Sequence, residues 1–76
     1  MLSFIDKRKL ESEILRIIRV NSIGINTRTL ISRVINNLAT TIPNLNKHHV
    51  AGMLAWVLKN NSCYFMVRSP GYSIIA

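Results

Sequence analysis

Two adjacent histidines, His48 and His49, and a lone cysteine, Cys63, carry the most versatile side-chain chemistry in the chain. Neighbouring positions on a helix diverge by about 100°, so His48 and His49 cannot comfortably chelate one ion. Cys63 is the only other soft ligand, and a zinc site takes about four ligands. No metal site and no cofactor is expected. Catalysis has equally little to work with. The three carboxylates, Asp6, Glu11 and Glu13, all fall near the start of the chain. That leaves no acid to orient either histidine, and there is no Gly-rich phosphate loop. A Cys63–His pair is conceivable, but Cys63 sits in a hydrophobic stretch where an inert thiol is the ordinary outcome. The expectation is a protein that is not an enzyme and has no small-molecule substrate.

Charge says more. Ten Lys and Arg face three acids, for a net charge of +7 and a pI near 10.6. From Ile14 onward there is no carboxylate side chain, while Arg16, Arg19, Arg28, Arg33, Lys47, Lys59 and Arg68 remain. A surface that is merely solvated usually interleaves both signs. A one-sign surface points to a polyanion, with nucleic acid first and an anionic membrane second. Simple solubility is the bland alternative.

Elements must position these groups. The 76 residues suffice for one small domain, 1–76, with 49% hydrophobic residues and eleven Ile to offset the marginal burial of so short a chain. Leu10, Ile14, Ile17 and Ile18 form a helical stripe, with Ser3 as N-cap and Asn21, Ser22 and Gly24 as the stop. The stretch 23–25 is long enough only for a brief edge strand. Asn26 or Thr27 caps a second helix with apolar Leu30, Ile31, Val34, Ile35 and Leu38. Residues 39–44 form a loop, since Pro43 biases Ile42 away from helix. Asn44 or Asn46 caps a third helix whose buried stripe is Val50, Met53, Leu54, Val57 and Leu58, and Asn60 and Asn61 stop it. The expected helices are 4–21, 27–38 and 46–59. Residues 63–68 and 72–75 read as a β-hairpin around a Ser69-Pro70-Gly71 type II turn.

The segments GINTRTLISRV, NKHHVAGMLAWVLKNN and CYFMVRSPGYSII, in that order and at this length, resemble the winged helix-turn-helix family across essentially the whole chain. The first is similar to its short strand and capped second helix, the second to its recognition helix, the third to a short wing. The tight-turn Gly of simpler helix-turn-helix proteins does not occur between Leu38 and Asn46. The resemblance implies an α+β fold, a three-helix core with a C-terminal hairpin wing. It also implies a sequence-specific DNA-binding transcriptional regulator, with the third helix in the major groove and the wing on the backbone or minor groove. The same topology also serves protein–protein recognition.

The candidate DNA contacts follow from face and charge. Asn46, Lys47, His48, Ala51, Gly52, Ala55 and Lys59 fall on the outer side of the third helix. Asn46 and His48 can bond a base edge, Lys47 a phosphate, and Ala51 permits close approach. Mid-helix Gly52 costs about 1 kcal/mol against Ala, so close approach of a partner, or tight packing on another helix, would explain it. Arg28 lies in the first turn of the second helix, where the helix dipole disfavours a cation unless a phosphate joins it. Arg33 lies on the same polar side. Arg68 sits at the expected wing tip, and Tyr72 can bond a phosphate or pack across the hairpin. Each of these positions has an ordinary solvated alternative. Trp56 is expected at the edge of the apolar sector.

Double-stranded DNA is therefore the expected partner, together with a second copy of the chain. Leu2, Phe4 and Ile5 would line the dimer interface, because symmetric operators favour two-fold proteins. The alternative is an interaction module that inhibits or recruits another protein. A basic domain on a membrane surface is a third reading, although membrane association is not expected. The basic cluster follows the first apolar residues rather than preceding them, so no export signal is expected. A single cysteine fits a reducing cytoplasm. The abundance of Ile and Asn suggests an AT-rich genome, and the size suits a virus or plasmid, which would place the protein in the host cytoplasm.

Overall fold

Apolar residues spaced three and four apart become three helices, each begun by a side chain that satisfies its first amides. In the computed structural model, residues 2–21 and 24–60 are described with their side chains, and 65–67 and 73–75 as backbone. Helix α1 spans Phe4–Val20. Ser3 Oγ accepts from the Asp6 amide at 3.1 Å. At the far end the Asn21 side chain donates to the Ile17 carbonyl at 2.7 Å. Gly24 then adopts φ 108°, a conformation that glycine takes without a Cβ clash. This turns the chain into a two-residue strand, β1, Ile25–Asn26. Helix α2, Thr27–Leu38, starts at once. Asn26 Oδ1 accepts from the Arg28 amide at 2.9 Å.

The connection to α3 is pinned by a buried loop residue. Ile42 is 2% exposed, and its amide donates to the Leu38 carbonyl at 2.7 Å. The chain therefore folds back onto the core without a tight-turn glycine. Helix α3 spans Lys47–Asn60. All three helices pack against one another. Leu10, Ile14, Ile17 and Ile18 meet Leu30, Val34 and Leu38 from α2 and Val50, Leu54 and Val57 from α3. Burying each such side chain fully contributes about 1.5–3 kcal/mol. The expected stripes hold, but Ile31, Ile35, Met53 and Leu58 are only half-buried against the core.

The α+β winged helix-turn-helix expectation is corrected. The helices are 17, 12 and 14 residues long, and the only strand among the residues with described side chains is β1, of two residues. Among the described residues, apart from Ile25 in β1 and Ile42 in the loop, the core cluster comes from helices. The architecture is a small helical globule, and no hairpin wing is established as part of it. Two three-residue backbone stretches, β2, Phe65–Val67, and β3, Ser73–Ile75, pair antiparallel with Met66 opposite Ile74. Ile25 of β1 pairs with Ile74. The Ser69-Pro70-Gly71 turn, Cys63, Arg68 and Tyr72 lie outside the described residues. The reading overshot because β-branched residues and a Pro-Gly pair signal local strand and turn, whereas fold class depends on what fills the core, and among the described residues helices fill it. Among the described residues, no helix is long and apolar enough to cross a membrane.

Candidate nucleic-acid interface

Helix α3 begins with a reciprocal cap. Asn46 Oδ1 accepts from the amides of His48 at 2.9 Å and His49 at 3.1 Å. His49 Nδ1 in turn accepts from the Asn46 amide at 3.3 Å. This is the logic of a capping box, with histidine in the place usually held by Glu or Gln. It changes the reading of two residues. His49 is half-buried and occupied with the helix end. Asn46 is exposed, but its oxygen already serves two amides. Bidentate recognition of adenine needs both the oxygen and the amino group of an Asn side chain, so Asn46 cannot supply it without giving up the cap.

Beyond the cap, Lys47, His48, Ala51, Gly52, Ala55, Trp56 and Lys59 are exposed. Two depressions flank the start of this face. On the α2 side, Arg28 and Lys47 line one groove of about 650 Å³ with Thr27, Ile31, Ser32 and Ile35. Two residues expected at the site are thus brought together from different helices. The half-buried Ile31 and Ile35 wall this groove, having been expected only as core. On the α1 side, His48 shares a cleft with Leu2, Lys7, Leu10, His49, Gly52 and Met53. Lys7 was not expected there. Its position three residues before Leu10, on the flank of the buried stripe, was the available signal.

Other expected residues are placed elsewhere. Arg33 is exposed on α2 but does not line the groove of Arg28 and Lys47. Leu2 packs half-buried against its own core, which leaves little of it for a second copy. Phe4 and Ile5 stay 73% and 65% exposed, and Arg8 lies over the Phe4 ring at 5.8 Å from its centre. Trp56 is 52% exposed. Among the described residues Gly52 has no packing reason, because a Cβ built there meets none of them within 4 Å.

Glu13 lines neither depression. Glu13 takes a forked pair of hydrogen bonds from Arg16, Nε to Oε1 at 3.0 Å and NH2 to Oε2 at 2.6 Å, and a longer one from Asn37 at 3.4 Å. The Arg16 bond holds the Glu13 carboxyl below its ordinary value, outweighing the opposing effect of desolvation, and Asn37 assists. Glu13 raises the Arg16 guanidinium in return. The first turns of α2 and α3 contain no acid. Among the described residues, Arg28 and Lys47 make no ion pair. Two cations near helix N-termini, where the dipole disfavours them, face one groove without a compensating carboxylate. Comparison with protein families, curated proteins and solved structures finds no significant match to this chain.

Proposed function

We propose that the chain binds double-stranded DNA, as a sequence-specific regulator rather than an enzyme, with the outer face of α3 in the major groove. The observation that carries this reading is the groove in which Arg28 and Lys47 converge with no acid beside them. Phosphates satisfy both cations and the adjacent helix ends. Lys47 and Arg28 supply charge and register, and His48 and Ala51 meet base edges, since phosphate contacts position and base contacts specify. Asn46 acts through the cap. A reducing cytoplasm, with the lone Cys63 as thiol, suits this role.

Phe4 and Ile5 are the surface assigned to a second copy, on the strength of their exposure. Sedimentation at high micromolar concentration tests it: a dimer that Phe4→Ala dissociates is expected, and a wild-type monomer refutes it. The exposed Trp56 favours a second reading, in which α3 docks on a protein, because Trp is enriched at protein interfaces. Titrating a labelled duplex at two salt concentrations separates the two. Tight binding that weakens steeply with salt supports DNA, and no duplex binding at low salt transfers the face to a protein partner.

A further inference from the structure

We propose that Lys7, on α1, contacts the phosphate backbone on the opposite side of the major groove from the one met by Arg28 and Lys47. The proposal rests on the DNA reading above. An α-helix with its side chains is about 10–12 Å across, and the major groove is about 12 Å wide. A helix seated there has a sugar–phosphate backbone along each flank. One flank of α3 has its cations in Lys47 and Arg28. The other is marked by Gly52, five positions on and about 140° around the axis, in the cleft that also holds Lys7 and His48.

Three observations make this second flank fit a phosphate backbone. No carboxylate lines the cleft. Among the described residues a Cβ at Gly52 would meet nothing within 4 Å, which leaves room for close approach beside Lys7. His48 borders the same cleft and is exposed, which sets a second polar side chain in the cleft with Lys7. Lys9, on the same helix and of the same charge, is placed differently. It lines a depression with Arg8, Ser12, Glu13, Arg16 and Leu38, beside the acid that Arg16 pairs with.

The test compares Lys7→Gln, Lys9→Gln and Lys47→Gln, each removing one exposed charge. Duplex affinity is followed by fluorescence anisotropy across a salt series, with circular dichroism to confirm that each variant keeps its helices. Each phosphate contact contributes about 0.9 to the slope of log affinity against log salt. Lys7→Gln and Lys47→Gln should each lower the slope by about one, and Lys9→Gln should leave it near wild type. If wild type binds steeply and Lys47→Gln lowers the slope, but Lys7→Gln behaves like Lys9→Gln, the contact is refuted while the DNA reading stands. If wild type binds no duplex at low salt, both fall.

Discussion

The outer face of α1 and the α2–α3 face are both rich in cations, yet they differ in where their counter-charges sit. On α1, Arg16 is held by Glu13 in a forked ion pair, and Asp6, Glu11 and Glu13 all belong to the same helix. Across the core, Arg28 and Lys47 line a groove from two helices, and neither helix has an acid in its first turn. The number of positive charges therefore does not identify a polyanion site. What distinguishes the second face is positive charge that the fold leaves uncompensated, at helix ends that already favour anions.

The largest expected effect comes from removing that uncompensated charge. A double variant, Arg28→Ala with Lys47→Ala, should lose tenfold or more in duplex affinity at low salt, since a hydrogen bond to a charged group is worth about 1.5–3 kcal/mol. The double variant Arg16→Ala with Arg19→Ala removes the same charge from α1 and should stay near wild type. Equal losses in the two, measured by anisotropy, would erase the distinction between the faces.

The caps sharpen the comparison next. Asn46→Ala should cost about 1 kcal/mol of stability by chemical denaturation and also weaken duplex binding, because it loosens the start of α3. Ser3→Ala removes the equivalent cap of α1 at a similar cost in stability and should weaken binding less, through Lys7 alone. Gly52→Ala reverses the sign. It should stabilise the free protein by about 1 kcal/mol, since the new methyl meets none of the described residues, while reducing affinity if DNA approaches there. Higher stability with unchanged affinity would move the contact away from that part of α3.

The smallest effect is a pH dependence on the α1 side. Glu13 has a lowered value in the fold, so its contribution is fully present above the ordinary carboxylate value and is lost as pH falls through the lowered one. Wild type should lose stability on acidification more steeply than Glu13→Gln over that window, as read by denaturation midpoints. The effect is modest, because the Arg16 partner is 55% exposed and solvent screens the pair. Parallel profiles for the two proteins would show that the ion pair is not formed in solution.

Much of the helical frame was legible in the sequence, since Leu10, Ile14, Leu30, Val34, Val50 and Leu54 mark buried faces by their spacing alone. The caps at Ser3 and Asn26 were readable too, because short polar side chains before apolar stripes accept first-turn amides. Fold class was not. The weight of the helices against the short strands depends on core composition, which no local signal at residues 63–75 reports. Ile42 looked like loop beside Pro43, and its burial follows from long-range packing. At the site, exposure of Lys47, His48 and Ala51 followed from periodicity, whereas the meeting of Arg28 with Lys47, and of Lys7 with His48, depends on how helices distant in sequence dock. Asn46 showed the reverse problem. Its type suits both a base edge and a helix cap, and only the geometry shows that the cap has taken its oxygen.

The slope of log affinity against log salt, measured for wild type, Lys47→Ala and Arg16→Ala on one labelled duplex, tests the central claim most directly. Uncompensated charge on the α2–α3 face predicts a steep negative slope for wild type, a slope shallower by about one for Lys47→Ala, and no change for Arg16→Ala. A larger loss from Arg16→Ala than from Lys47→Ala would put the DNA on α1, and a wild type that binds no duplex at low salt would remove DNA from the picture.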